Sequence, residues 1–442
     1  MVNWSRGPET AECAAVVRAA IEQRHLDEDV QSVVFHDMDL LSQRFDALRS
    51  AFPVSTLHAV AIKANPLVEV LKHVVGRGAG LEAASIEEVE IALAAGCDPS
   101  RIVFDSPAKT AAEICRALDL GVMINADNVA ELRRLADLRR ADHRSVIGVR
   151  VNPMVGVGRI ATTSVAGTDS KFGIPLDRAR AELPALLEEM PWITALHVHV
   201  GSQGCSLDQL LDSAVAIEAL RVQLNGGLGT DRIDVVDLGG GLPSVYTSTD
   251  DVIAPDEYAN ALRRLVPSWF DGTVRLVTEF GRVLQAHCGW AVSRVEYVKR
   301  IGDARLAVVH LGADLLLRAV YRPEDWSHRL ASLDASGEVP TGDPIPWTVG
   351  GPLCFAGDII GRDVPLVDVR AGSLVLIRDI GAYTMSMWSR HCSRGLPLVL
   401  GHAATSSGSD LSVIRRAESP GDVAAFWSVD GGRGASGPGE DH

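Results

Sequence analysis

The chain has 442 residues, 47% of them hydrophobic and 22% charged, and carries a formal net charge of -15. That length holds two domains with sizeable cores and excludes global disorder; the acidic balance, with no basic run or aromatic-basic interleaving, excludes a nucleic-acid binder and predicts a soluble cytoplasmic protein. No apolar stretch reaches membrane-span length, the N-terminal "MVNWSRGPETAEC" lacks the apolar centre of a signal peptide, and seven scattered cysteines without a CxxC pair suit a reducing compartment and give no zinc pattern.

From Leu57 onward short apolar runs alternate with helix-spaced segments. "LHAVAIK", "GLEAAS", "RIVFDS", "VMINAD", "VIGVRVN", "TALHVHVGS", "VVDLGGG" and "VRLVTEFGR" read as strands. Between them "LVEVLKHVV", "IEEVEIALAAG", "TAAEICRALDLG", "NVAELRRLADLRR" and "LDQLLDSAVAIEALRVQL" read as helices, two of them stopped by glycine. Eight such units predict a (β/α)8 barrel, with an open doubly wound sheet as the alternative. The strand ends favour the barrel, because Lys63, Glu82, Asp105, Arg150, His199 with Ser202, Gly239 to Gly241, and Glu279 with Arg282 would all meet at one face. Near residue 285 the rhythm changes to short alternating strands with glycine turns, which predicts an antiparallel β-sandwich or β-barrel domain. The expected division is a barrel over 35–284, a β domain over 1–34 and 285–425, and a disordered Gly-rich tail over 426–442.

Lys63 follows a buried strand, so desolvation should lower its pKa and make it a Schiff-base nucleophile; taken alone, it also fits a lysine snorkelling out at a strand end. "DLGGG", Asp237–Gly241, offers bare backbone to an anion or simply a tight turn. "HVHVGSQ" puts His197 and His199 on one strand face without a third metal ligand at a recognisable spacing. His199 stacked on a ring with Ser202 on a phosphate fits better, and His197 reads as a satisfied core histidine. "TEFGR" gives Glu279, able to keep a heterocyclic nitrogen protonated, and Arg282, able to bind phosphate, or the two form an ordinary ion pair. In "GPLCFAGD", Cys354 reads on base rates as a buried structural cysteine beside Asp358, and Tyr383 of "GAY" fits a core position equally well.

Taken together and in order, "AIKAN", "HVHVGS", "DLGGG", "EFGR", "GPLC" with "GD", and "GAY" resemble the fold-type III pyridoxal-phosphate decarboxylases, the diaminopimelate/ornithine/arginine decarboxylase family, from "VVFHDMDLL" to "GAY". The resemblance implies pyridoxal 5'-phosphate held covalently by Lys63 and covered by His199. Ser202, Gly239, Gly240, Gly241, Arg282 and Tyr383 would surround its phosphate, and Glu279 would pair with its ring nitrogen. Arg150 and Glu82 would be neighbours of the cofactor. Cys354 would come from the second subunit of a head-to-tail homodimer and help protonate the product carbon.

Two departures bear on the substrate. Diaminopimelate and ornithine enzymes of the family usually carry an acid directly after this cysteine, facing a distal amine, and here the residue is Phe355. An apolar ring cannot neutralise a buried ammonium. Arg318 and Tyr321 in "DLLLRAVYR" resemble the family's segment for a distal carboxylate, and Arg390, His391 and Arg394 follow Tyr383. These residues either line a carboxylate-rich substrate or are surface and dimer charges. The expectation is an α-decarboxylase of a modified, carboxylate-bearing amino acid, as in siderophore or antibiotic pathways. Diaminopimelate decarboxylase is the leading alternative, and a racemase or a non-catalytic pyridoxal-phosphate carrier are the readings from other classes. Phe280, where the family usually has proline, is a smaller departure.

Overall fold

The computed structural model describes residues 2–247, 250–405 and 408–429, so the expected disordered tail lies, from residue 430 on, outside the described residues. Two compact units form: one from Met1–Gly7, Met38–Cys288 and Asp379–Ser386, the other from Pro8–Asp37, Gly289–Arg378 and the chain from Met387 on.

In the first unit Leu57–Ala61, Gly80–Ala83, Ile102–Phe104, Met123–Ala126, Ile147–Asn152, Ile193–Val198, Val235–Asp237 and Arg275–Thr278 are strands. Each pairs in parallel with the next, and Val277 and Thr278 pair back with Leu57 and His58 to close the ring. These are the eight runs read from the sequence, and the closed ring settles the barrel over the open sheet. Nearly all their residues are buried, as parallel strands covered by helices require. The helices start where the side chains can cap them: Ser85, Thr110, Asn128 and Ser206 each accept a hydrogen bond from a first-turn N–H. Gly121 and Gly229 end two of them in the left-handed conformation.

Lys63 does not stand on the strand itself. The strand stops at Ala61, and Ile62–Ala64 forms a single 3-10 turn. Pro66 keeps Asn65 extended and ends the turn there.

Arg44, on the helix Met38–Ala51, is fully buried. Its Nη1 donates to the carbonyl of Val283 at 2.8 Å and its Nη2 to those of Asn3 and Arg6 at 3.0 and 3.1 Å. It thereby ties this helix to the short helix Arg282–Gln285, which begins at Arg282.

In the second unit the long strand Gly289–Ile301 pairs antiparallel with Ser32–Asp37, Ala304–Val309 and Leu374–Ile377. The sheet is mixed, because Ser32–Asp37 runs parallel to Leu398–Thr405 and Ala304–Val309 parallel to Ile345–Gly350. Its core combines Cys13, Val16 and Val17 of the helix Thr10–Glu22 with Phe35, Trp290, Leu374 and Leu400. Phe35 stacks on Trp290 at 5.6 Å. At its surface Glu418 accepts from Arg390 Nη1 and Nη2 at 2.5 and 3.0 Å, from Arg415 at 3.0 Å and from the Leu396 N–H at 3.0 Å. The Arg390 hydrogen bonds hold the Glu418 carboxyl down at about 2, against a usual 4.5.

Arg44→Met should lower the stability of the barrel unit by about 2–4 kcal/mol, because the buried Val283 carbonyl and the part-buried carbonyls of Asn3 and Arg6 lose their donor. Urea unfolding checks this, and a change below about 0.5 kcal/mol would count against it. The Glu418 cluster stabilises most above the unfolded carboxyl's pKa and loses that contribution as pH falls through the folded value. Glu418→Gln should therefore cost about 1 kcal/mol near neutral pH, allowing for solvent screening. In thermal melts the gap from wild type should narrow as pH drops from 4.5 towards about 2; a gap constant with pH would rule the ion pairs out as its cause.

Candidate active site

Lys63 stands among the C-terminal strand ends. Its Nζ donates to both oxygens of Glu82 at 2.5 Å, and Glu82, Asp105 and Glu279 place carboxylate oxygens within 4.8 Å of one another. This reverses the expected direction of the lysine's pKa shift. Burial pushes the Lys63 pKa down, but the charges of Glu82, Asp105 and Glu279 outweigh it and hold the amine protonated, with a pKa above that of an ordinary lysine. The groups that set the charge of Lys63 are not the apolar residues beside it in sequence but the acids across the barrel mouth.

Glu279 is buried, no N–H or hydroxyl group donates to either of its oxygens, and it shares a side-chain hydrogen bond with the Asp237 carboxyl. Burial, then Asp105, Asp237 and Glu82, raise its pKa well above the usual carboxyl range. His197 Nε2 and His199 Nδ1 lie 3.7 and 3.6 Å from it. Burial first, then Arg150 and Lys63, push both histidines well below their ordinary value, so both rings are neutral. The Gly240 N–H donates to His199 Nδ1 at 3.1 Å, which assigns that ring's proton to Nε2. Glu279 thus completes a His197, His199 and Glu279 grouping that spacing alone did not reveal, but the His199 Nδ1 lone pair is already engaged. His197 is buried as expected yet not satisfied, since neither ring nitrogen is hydrogen-bonded and Asp105 stays 3.9 Å away.

Gly239 and Gly241 adopt φ of +64° and +115°, values that side-chain-bearing residues rarely take. A Cβ on Gly239 would come within 2.6 Å of His199 Nδ1 and the Val198 carbonyl, and one on Gly240 within 2.7 Å of the Glu279 carbonyl. Asp237, whose carboxyl burial raises to about 6, accepts from the Gly239 N–H and from Asn125, each at 3.0 Å, and shapes the turn. Beside it Arg282 is buried. Its Nη2 donates to Ser202 Oγ at 2.8 Å, its Nη1 to the Tyr246 hydroxyl at 3.1 Å, and its guanidinium lies 4.3 Å from the centre of the Tyr383 ring. Tyr383, at φ 58°, donates its N–H to the Ala64 carbonyl at 2.7 Å, next to Lys63. Bare backbone, a hydroxyl and a guanidinium in one place suit a phosphate. Arg150 lies 3.8 Å from Asp127 and 4.4 Å from the centre of the Phe172 ring.

Tyr246 and Gln203 carry no motif of their own and escaped the sequence reading. Gln203 exchanges two hydrogen bonds with the backbone of Ser244, at 2.7 and 3.0 Å, and so holds the loop that leads to Tyr246.

The remaining candidates lie in the second unit. Cys354 is exposed, not a buried structural cysteine, and its N–H points at Cys392 Sγ, 3.4 Å away. Its glycine-rich loop is open to solvent, which is why packing statistics misplaced it. Asp358 is buried, and its oxygens accept from the N–H groups of Ala313 and Leu353, each at 2.7 Å, and fix the "GPLC" loop. Phe355 stacks on Tyr321 at 5.8 Å and meets His391 edge-on at 5.7 Å. Arg318 lies 4.8 Å from the centre of the Trp326 ring. Arg394 pairs with Asp314 at 3.2 Å and donates to the His310 carbonyl at 2.9 Å, while Arg390 pairs with Glu418. Both of these arginines meet carboxylates of their own unit.

Replacing Gly239 with alanine should displace His199 and the turn together. Pyridoxal 5'-phosphate binding, followed by fluorescence titration, should weaken by at least about tenfold, the effect of a side chain forced into a left-handed, closely packed position. Wild-type affinity in this variant would show that the turn is not needed for binding.

Residues 38–286 match the family described as pyridoxal-dependent decarboxylase, pyridoxal binding domain. The chain is 32% identical over 377 residues to the diaminopimelate decarboxylase of Vibrio cholerae, covering 84% of this chain and 85% of that protein. It is 33% identical over 341 residues to that of Pseudomonas aeruginosa, covering 76% and 78%. The crystal structure of diaminopimelate decarboxylase from Helicobacter pylori complexed with L-lysine superposes with a TM-score of 0.79 at 25% identity, covering 92% of this chain and 98% of that one. No helix among the described residues is long and apolar enough to cross a membrane. With an ordered barrel, a lysine among acids and a glycine cradle beside a buried arginine, the chain belongs to the pyridoxal-dependent decarboxylases and is an amino-acid carboxy-lyase that uses pyridoxal 5'-phosphate.

Proposed function

We propose that the chain removes the α-carboxylate of a diamino dicarboxylic acid of the diaminopimelate type. The names of its relatives in Vibrio cholerae and Pseudomonas aeruginosa support this substrate class. So does the L-lysine bound to the Helicobacter pylori neighbour, since lysine is diaminopimelate less one CO2. The observation that carries decarboxylation is Glu279, a buried acid near Lys63 whose oxygens receive no N–H or hydroxyl donor from the protein.

The residues present fit the cofactor. When bound, pyridoxal 5'-phosphate supplies an electron sink for the charge left at Cα as CO2 departs. Glu279 is the residue that would face the ring nitrogen and would favour its protonated form; an arginine there, usual in racemases of this fold, would not. Lys63 is the covalent anchor, and Glu82 balances its charge. His199 presents a neutral ring whose orientation the Gly240 N–H fixes. Arg282, Ser202, Tyr383 and the Gly239–Gly241 backbone hold the phosphate. Cys354 would supply the proton for the product carbon, and its exposed thiol is compatible with delivery from one copy of the chain to another in a head-to-tail homodimer. Seven unbridged cysteines fit a reducing, cytoplasmic setting.

One observation favours a second reading, a conjugated substrate of the siderophore or antibiotic type. Phe355 offers an aromatic face, backed by Tyr321 and His391, where an acid would be needed for a free distal amine.

CO2 release by the purified protein with added pyridoxal 5'-phosphate separates the readings. Turnover of meso-diaminopimelate is expected, whereas turnover of citryl-diaminopropionate alone would select the second reading. A racemised product without CO2 would overturn both. Lys63→Ala should abolish turnover and the absorbance of the cofactor-bound lysine, and Glu279→Gln should lower kcat on the order of 10²-fold or more with the cofactor still bound. A fully active Glu279→Gln enzyme would remove the role assigned to that carboxyl.

A further inference from the structure

The N-terminal end of the barrel holds a second cavity, of about 990 Å3. Its apolar wall is the last layer of the barrel core: Met123 and Val277 belong to that core, and Leu57 and Val146 pack against it. Phe52 adds a ring. Around this wall stand four arginines that the fold gathers from distant parts of the chain. Arg49 ends the helix Met38–Ala51, Arg101 precedes Ile102–Phe104, Arg144 precedes Ile147–Asn152, and Arg275 opens Arg275–Thr278.

Asp46 is the one carboxylate among the cavity's lining residues, and Arg77 pairs with it. Among the described residues, Arg49, Arg101, Arg144 and Arg275 form no ion pair with a carboxylate, although the chain as a whole carries a formal net charge of -15. Two of them are held in place by backbone: Arg49 Nη1 donates to the Arg77 carbonyl at 2.8 Å and Arg101 Nη2 to the Gly78 carbonyl at 2.6 Å. Arg144 and Arg275 are exposed. Four like charges around one concavity repel each other and focus a positive potential into it. His58, at the cavity wall, registers that field: burial first, then Arg49 and Arg101, lower its pKa to about 4, and its Nδ1 lies 2.8 Å from Thr278 Oγ1.

Guanidinium groups pair with phosphate or carboxylate through parallel N–H bonds, and the apolar wall provides for an organic body between such groups. We propose that this cavity binds a small organic anion carrying two or more negative charges, as phosphate or carboxylate, at a site separate from the reacting groups. The proposal does not depend on which amino acid is decarboxylated. It places the anion at the opposite end of the strands from Lys63 and Glu279, so it does not compete with the cofactor's phosphate.

The test is isothermal titration calorimetry of the cofactor-loaded enzyme with pyrophosphate and, separately, citrate, at matched ionic strength. One equivalent per chain is expected for at least one of the two, and the tighter probe tells whether the site prefers phosphate or carboxylate. The double variant Arg144→Ala/Arg275→Ala should weaken that binding at least about tenfold and leave cofactor binding and turnover unchanged. Should it fail to fold, Arg144→Lys/Arg275→Lys replaces it, with weaker but measurable binding expected because the charge remains and the planar fork is lost. In the wild type the anion should also raise the His58 pKa, read from its imidazole proton resonance. Absence of binding by both anions, binding only to cofactor-free enzyme, or equal affinity in the alanine variant would each overturn the proposal.

Discussion

Glu279 sits inside the barrel mouth beside Asp105, Asp237 and Glu82, with no N–H or hydroxyl group donating to either oxygen, and the arrangement around it follows from that crowding of like charge. Carboxylates this close cannot all ionise in a low-dielectric interior. The charge of Lys63 answers part of the repulsion and Arg150 stands near enough to depress both histidines. Asp237 is bonded by Gly239 and Asn125, and Glu82 by Lys63. Glu279 has the neutral imidazoles of His199 and His197 at 3.6 and 3.7 Å and shares a side-chain hydrogen bond with Asp237. In the function proposed above, a cationic ring nitrogen held against Glu279 would relieve that crowding of acids.

Most of the fold was legible because each barrel strand is a short apolar run closed by unusual chemistry, and a parallel ring leaves those runs buried on both faces. "VVDLGGG" and "TEFGR" could be placed by pattern alone, since glycine at positive φ and a strand-end acid are local features. What failed was anything set by neighbours distant in sequence. Lys63 is apolar in its sequence surroundings and acidic in its spatial ones, so the sign of its pKa shift was invisible until Glu82, Asp105 and Glu279 were brought round the ring. Tyr246 and Gln203 hold Arg282 and its loop from positions no motif marks.

The second unit was harder to read, for a related reason. Asp358 lies in a motif-like "GD" beside Cys354, yet its oxygens serve the N–H groups of Leu353 and Ala313. The aspartate makes the loop rather than facing outward from it. The mixed sheet was likewise hidden, because parallel partners such as Ser32–Asp37 and Leu398–Thr405 are separated by most of the chain. Alternation reveals a strand but not its neighbour.

The Tyr383 segment has a consequence for how such a protein can be assembled. The chain leaves the barrel unit at Cys288 and returns for only Asp379–Ser386, placing one ring beside Arg282 and one N–H against Ala64. A contiguous piece of gene ending with the last barrel helix would encode all eight strands and still lack that ring. The barrel and the sheet unit are then not interchangeable modules joined end to end. They are inherited as a single interleaved length of sequence, and an insertion or exchange between residues 289 and 378 is tolerated only if it brings the chain back to the same place.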